Sequence, residues 1–256
     1  MASEIAVFAE AGRLSKEIAE RALSNEVIIP GKTALEDVSW WIQDELERRR
    51  LVASFGLPNV YITGPGGIEA GSNKRIIRGG DLLMIDWGAG LMGYYPDMKR
   101  IAYVLKEGEK EVPAGIRAAF EKAAAARDVV RKAIKPGRTG KETLAFINKS
   151  LEEAGFSVMK EFNKTSDTQK TQVFTCSHSV GDWGHGIGPS TAFFQVWQQD
   201  FKILPTTFLS IELFAYTPAS EWGGKNVRIP LEDDAVVTER GVEWLYPLNN
   251  EILVIR

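Results

Sequence analysis

The segment Ile29-Pro30-Gly31-Lys32-Thr33-Ala34-Leu35-Glu36 recurs 106 residues later as Lys135-Pro136-Gly137-Arg138-Thr139-Gly140-Lys141-Glu142. In each copy a Pro-Gly turn runs into Thr-x-x-Glu, the pattern of a capping box that opens a helix. Each copy follows a long stretch with apolar residues at helical spacing, roughly residues 3–24 and 112–134. Each is followed, past its second helix, by a β-rich region. A chain that performs helix, turn, helix and strands twice is expected to form two α+β halves, about 1–108 and 109–256, around a shared cleft. No stretch rich in Gly, Ser or Pro separates them, so residues 1–256 read as one domain.

Strands are expected where apolar runs are bounded by Gly, Pro or charged clusters: Asp81–Trp87, about Tyr94–Leu105, Thr207–Tyr216, Ala235–Thr238 and Glu243–Ile255. The region Asn163–Val180 is polar, rich in Ser, Thr, Gln and Lys, and reads as a long surface loop placed to act as a lid.

Several of these strands carry acids in apolar company. Asp86 lies in Leu82-Leu83-Met84-Ile85-Asp86-Trp87-Gly88, Asp97 in Gly93-Tyr94-Tyr95-Pro96-Asp97-Met98-Lys99-Arg100, and Glu212 in Phe208-Leu209-Ser210-Ile211-Glu212-Leu213-Phe214. A carboxylate in such a strand is costly to bury unless it is paired, hydrogen-bonded or bound to a cation. Alternation sets Ser210, Glu212 and Phe214 on one face and Leu209, Ile211 and Leu213 on the other. Glu232 opens Glu232-Asp233-Asp234 just ahead of a further strand. A partner such as Arg100 or Arg228 would account for any one acid. Several, together with a histidine set between glycines in Gly184-His185-Gly186-Ile187-Gly188, point to an oxygen-rich site for divalent cations.

Bulk properties narrow the classes. A net charge of −3 gives no general affinity for nucleic acid or anionic membrane. One cysteine, Cys176, excludes an internal disulfide framework and fits a reducing compartment. The amino-terminal stretch is charged from Glu4 onward, unlike a signal peptide, and no apolar run reaches membrane-spanning length. A cytoplasmic globular protein is expected.

The motifs resemble those of the M24 metallopeptidases, the family of methionine aminopeptidase, aminopeptidase P and prolidase, whose fold is called pita-bread. Gly80-Asp81 through Asp86-Trp87-Gly88, with Gly93-Tyr94 and Asp97-Met98-Lys99-Arg100, is similar to the first metal motif. Gly184-His185-Gly186-Ile187-Gly188 is similar to the histidine motif, Ile211-Glu212 to the first glutamate motif, and Val227-Arg228-Ile229 through Glu232-Asp233 to the second. The resemblance spans essentially the whole chain. It implies a pseudo-twofold α/β (α+β) pita-bread fold in which Asp86, Asp97, His185, Glu212 and Glu232 bind two divalent ions (Mn, Fe, Co or Zn). Asp97 and Glu232 would bridge or nearly bridge them. It implies hydrolysis of an amino-terminal peptide bond, as in Xaa-Pro peptidases, by a metal-bridging hydroxide, with Glu212 as general base. A homodimer acting on small peptides or another small molecule is expected. The Asp-x-x-Arg form is similar to the prolidase and aminopeptidase P branch, and this chain is expected to lack the amino-terminal domain of those enzymes.

Three departures qualify the resemblance. The position of a substrate-facing histidine ahead of the first ligand falls on Ile68 or Glu69, within Gly66-Gly67-Ile68-Glu69-Ala70. That of a second, past the histidine motif, is Ala192. Pro230-Leu231 is inserted before Glu232, which leaves Asp233 and Asp234 as alternative ligands. His178 is a weak substitute for the missing imidazoles, set against a plain reading as an exposed loop residue, and Glu69 and Trp87 are further weak substrate-side candidates. Trp87, Tyr94, Trp183 and Trp197 either line an aromatic pocket or pack in the core, and Cys176 lies near the cleft mouth without a mark of a nucleophile. The same fold also serves a dimethylsulfoniopropionate lyase and the amidinohydrolase creatinase, so lyase or C–N bond chemistry on a small molecule is the alternative. A non-catalytic binding protein comes last.

Overall fold

The computed structural model describes residues 2–64, 67–69, 74–166 and 168–256; Gly66 and Ala70 lie outside the described residues. The first half runs α1 (Ala2–Ala22), α2 (Leu35–Arg49), β1 (Val52–Ala53), β2 (Asn59–Gly64), β3 (Gly67–Ile68), β4 (Leu82–Trp87), β5 (Ala89–Gly90) and β6 (Met98–Val104). The second runs α3 (Ala114–Ala133), α4 (Gly140–Glu153), β7 (Ser157–Val158), β8 (Gln172–Thr175), β9 (His178–Ser179), β10 (Phe208–Pro218), β11 (Asn226–Thr238), β12 (Gly241–Trp244) and β13 (Leu253–Ile255). Helix, turn, helix and strands thus occur twice.

The two Pro-Gly copies cap their helices differently. Thr139 opens α4 as its sequence demands: its hydroxyl accepts from the Glu142 N–H at 3.2 Å, and the Glu142 carboxylate accepts from the Thr139 N–H at 2.8 Å. At the first copy the cap moves by one residue. The Asp37 carboxylate takes the Ala34 N–H at 2.8 Å, while Thr33 turns back to accept from the Ile29 N–H at 2.9 Å. Ala34 has no side-chain oxygen to reciprocate, so the expected Thr33–Glu36 box does not form.

Two mainly antiparallel sheets carry the site. One has the order β13-β6-β4-β2-β3 and the other β12-β11-β10-β8-β7, with β9 also on β10. Strand β13 runs parallel to β6, pairing Leu253 with Ala102, so the carboxyl-terminal strand closes the first sheet. One apolar core fills the space between α3, α4 and the β10–β11 hairpin; a second lies between α1, α2 and the first sheet. Leu209, Ile211 and Leu213 sit in the former, as alternation required.

Further expectations need correction. The run Glu243–Ile255 is not one strand: β12 ends at Trp244 and β13 begins only at Leu253. Glu232 lies within β11 rather than ahead of a strand, because the β10–β11 ladder runs unbroken from Phe208↔Val236 to Pro218↔Asn226, through Pro230-Leu231. The stretch Asn163–Val180 is not all surface loop: residues 171–180 are buried and contain β8 and β9. Its polar groups are served inside the sheet, as with the Thr171 and Thr217 hydroxyls at 3.0 Å and the Gln172 side-chain amide, which bonds to Ser166. Among the described residues no helix is long and apolar enough to cross a membrane.

Candidate metal centre

Strand alternation decides which side chains meet in the cleft. On β4 and β6, Asp86 and Lys99 are direct cross-strand partners; on β10 and β11, Glu212 and Glu232 are. Residues that share a face two apart extend the set: Asp97 beside Lys99, Ser210 beside Glu212, and Asp234 beside Glu232. Asp86, Asp97 and Glu232 bring ligand atoms within 4.8 Å of one another.

Lys99 occupies the middle of this cluster. Its ammonium donates to Glu212 Oε1 at 2.7 Å and to Glu232 Oε2, and lies 3.1 Å from Asp86 Oδ2. Burial disfavours its charge, but Asp86, Glu212, Glu232 and Asp97 outweigh burial and hold its pKa well above the ordinary lysine value. The carboxylates respond unequally. Burial pushes Asp86 up to about 6 against the pull of Lys99. For Glu232, burial is overcome by Lys99 and His178, and the carboxyl falls to about 2. Ser210 Oγ also donates to Glu232 Oε1 at 2.5 Å.

His178, set down in the sequence as an exposed loop residue, is fully buried on β9 and faces the carboxylates. Pairing of Ser210 with His178 in the β9–β10 ladder puts it there. Its Nε2 is 3.3 Å from Glu232 Oε1 and 3.8 Å from both Asp97 Oδ2 and Glu212 Oε2. Nδ1 lies 3.2 Å from the Ser179 carbonyl, which assigns it the proton and leaves the Nε2 lone pair pointing at acceptors. Nε2 and Asp97 Oδ1 are buried without a hydrogen-bond partner. Three oxygens and a ring nitrogen in this arrangement require a cation between them, either a proton or a metal ion. Burial alone would lower the His178 pKa, but Glu232, Asp97 and Glu212 raise it. His185 stands at the rim, its side chain 49% exposed, with Nε2 3.4 Å from Asp97 Oδ2. Its ring meets His178 edge-on at 4.7 Å and stacks against Phe55 at 5.9 Å.

Of the three consecutive acids only Glu232 joins the cluster. Asp233 points to the opposite face, where Arg100 Nη1 lies 2.9 Å from Oδ1 and Arg127 Nη1 3.0 Å from Oδ2. Asp234 shares the cleft face but is engaged: Tyr246 donates to it at 2.9 Å, and it accepts from the Asp97 N–H at 3.2 Å. Burial and the Asp97 charge hold its pKa well above the usual range. Tyr246 packs on α1 at Gly12, where a Cβ would stand 2.0 Å from the ring, so the first helix braces the Asp97 backbone through Tyr246 and Asp234.

The other candidates land elsewhere. Trp87 alternates away from Asp86 into the first core. Glu69 is exposed and pairs with Arg75 at 3.4 Å; Ile68, its neighbour, lines the cleft. Tyr94 packs on Phe8 and donates to Glu4, and Trp183 and Trp197 are exposed. Cys176 is buried inside the site rather than at its mouth, donating to Glu212 Oε2 at 3.0 Å. The aromatic wall of the cleft, about 310 Å³ in volume, is built from Phe55, Tyr61, Phe162, Phe193, Phe194 and Phe214. Only Phe214 carried a sequence signal, through its alternation with Glu212. Arg228 also lines the cleft, stacked on Phe214 at 4.4 Å and donating to the Tyr216 hydroxyl at 3.2 Å. Among the described residues no carboxylate lies within ion-pair distance of it.

Residues 6–239 match the model of metallopeptidase family M24. The chain belongs to the M24 family. Its fold is that of M24 relatives: an X-Pro aminopeptidase from Thermotoga maritima superposes with a TM-score of 0.73 at 18% identity, covering 99% of this chain and 64% of that one. A Xaa-Pro dipeptidase from Bacillus anthracis gives 0.71 at 22% identity, covering 99% and 63%. In sequence, the Xaa-Pro dipeptidase of Pyrococcus furiosus is 28% identical over 184 residues, which is 71% of this chain and 44% of that protein. The chain therefore spans less than half of that dipeptidase and less than two thirds of either solved relative. With the mixed α/β sheets described above, this is the pita-bread fold.

M24 membership implies divalent ions, and the donors fit one on the His178 side. Asp97, His178 and His185 form one possible ligand group, and His178, Glu212 and Glu232 another. The unpartnered His178 Nε2 and Asp97 Oδ1 are what such an ion would satisfy. On the Asp86 side the carboxylates already have a cation in Lys99.

Proposed function

We propose that this M24 chain is a metal-dependent hydrolase that removes the amino-terminal residue of small peptides, Xaa-Pro peptides among them. The observation that carries the reading is the convergence of His178 Nε2 with Asp97, Glu212 and Glu232 at the floor of an aromatic cleft of peptide size. Mn, Fe, Co or Zn suit such nitrogen and oxygen donors, and a divalent ion there would polarise the scissile carbonyl and acidify water. Asp97, His178 and Glu232 are the proposed ligands, with His185 and Glu212 as further donors beside them and Asp86 held by Lys99.

This chain's own groups supply the rest. Glu212 is the proposed general base, its Oε1 fixed by Lys99 and its Oε2 facing His178. The phenyl rings exclude water from a bound side chain, and the Arg228 guanidinium is placed to hold a substrate carboxylate. Lys99 keeps a fixed positive charge beside the reacting region, where negative charge develops during acyl transfer. A cytoplasmic homodimer is part of the same proposal, and the buried free thiol of Cys176 accords with a reducing compartment.

A second reading has its own support. Where a substrate-facing imidazole was sought, the cleft presents Ile68. Chemistry on a non-peptide small molecule, lyase or C–N hydrolysis, would suit that wall. A substrate panel decides between them: Xaa-Pro dipeptides and aminoacyl-β-naphthylamides against amidines and β-substituted small acids, each with Mn²⁺ or Co²⁺. Turnover confined to the peptides supports the first reading, and turnover confined to the others replaces it.

A further inference from the structure

Lys99 is set into the site by the fold itself. It is the direct β4–β6 partner of Asp86, just as Glu232 is the β10–β11 partner of Glu212. The two hairpins thus present one pair each to the cleft: acid and acid from the second half, acid and ammonium from the first. The ammonium reaches Glu212 Oε1 at 2.7 Å, Asp86 Oδ2 at 3.1 Å and Glu232 Oε2, so its three carboxylates come from both halves. Its side chain is 4% exposed, and the Phe214 ring lies 5.4 Å from it.

An ammonium has three protons to donate, and here three carboxylates surround it. It is a compact point charge, so at these distances it fills the space between the oxygens much as an ion would. Asp86, Asp97, Glu212 and Glu232 carry four negative charges when ionised, which two divalent ions would cancel unaided. With Lys99 present, a second ion would add surplus positive charge to a cluster that is largely buried, and would compete for the same oxygens.

We infer that the Lys99 ammonium is a built-in cation standing in place of one of the two divalent ions expected for this fold. The chain then takes at most one ion, on the Asp97–His178 side. The identity of that remaining ion's role rests on the hydrolase reading above; the substitution by Lys99 does not. A consequence is that the Asp86 side of the centre carries its own counter-charge before any metal arrives, so half of the cluster is assembled in the metal-free protein.

Metal counting tests this directly. Wild type and Lys99→Ala are stripped with chelator, reloaded with excess Mn²⁺, desalted and counted by plasma mass spectrometry, with calorimetric titration as a second count. Lys99→Ala is expected to bind one equivalent more than wild type, two against one. Equal counts, or two equivalents in wild type, overturn the inference. A rise from none to one keeps the substitution and removes the hydrolase reading, so the two claims fail separately. Lys99→Ser, short and able to hydrogen-bond the stranded carboxylates, is the second variant, with the same expectation. Should neither variant fold, the wild-type count decides: two equivalents overturn the inference, one or none supports it.

Discussion

Replacing Asp233 with alanine strands two arginines inside the protein. Asp233 is fully buried, and Arg100 and Arg127 beside it are 1% and 3% exposed. Each arginine keeps a backbone acceptor, Arg100 on the Lys99 carbonyl at 2.7 Å and Arg127 on the Asn249 carbonyl at 2.9 Å. Removing one partner of a buried pair costs about 3–5 kcal/mol, and the surviving acceptors favour the lower end, about 3–4 kcal/mol. For a chain of this size that corresponds to a fall in Tm of roughly 6–16 °C. Asp233→Asn, which keeps an acceptor and loses the charge, should cost about half as much. Urea and thermal unfolding of the two variants read these values. Because Asp233 faces away from the cleft, folded Asp233→Asn should also keep the wild-type metal count. A loss below about 1 kcal/mol in Asp233→Ala, or a loss of metal without a loss of stability, would refute the assignment of faces along β11.

Three further outcomes follow from the site geometry. His178→Ala should weaken Mn²⁺ binding more than His185→Ala, by over ~100-fold against roughly 10-fold, since His178 faces three carboxylates and His185 one; the reverse order in calorimetric titration would return the ligand role to His185. Cys176, buried and raised in pKa by burial and by Glu212, should resist Ellman's reagent in the native protein and react fully in urea, and rapid native labelling would contradict its place. Burial and neighbouring carboxylates raise the Asp97 carboxyl well above its ordinary value, and Glu232, Asp97 and Glu212 raise the His178 imidazole; a protonated donor cannot hold a cation, so metal affinity should climb as pH rises and these groups lose their protons, and a flat profile would speak against these ligands.

Much of this was legible because strand alternation is a rigid rule. Glu212, Ser210 and Phe214 fall on one face by counting, and so do Leu209, Ile211 and Leu213 on the other. The Pro-Gly repeat located both helix pairs, although Ala34 at the first cap moved the capping acid to Asp37. What escaped notice depends on contacts far apart in sequence. His178 looks like a loop residue because its neighbours are Ser and Thr, and only the ladder to β10 buries it. Lys99 looks like one basic residue beside Arg100, and only the register with Asp86 aims it inward. The three acids after Pro230-Leu231 could not be told apart until β11 proved continuous through these two residues. The phenyl rings of the cleft come from four separate segments, and no local pattern announces their meeting.

The most direct test of the account is the metal dependence of turnover. Wild type, chelated wild type, reloaded wild type and Glu212→Gln are compared on the best Xaa-Pro dipeptide of the panel, with release of the amino-terminal residue as the readout. Turnover should vanish on chelation, return with Mn²⁺ or Co²⁺, and fall by at least ~100-fold in Glu212→Gln. Turnover indifferent to chelator and to Glu212, or none from the loaded enzyme on any peptide, would contradict it.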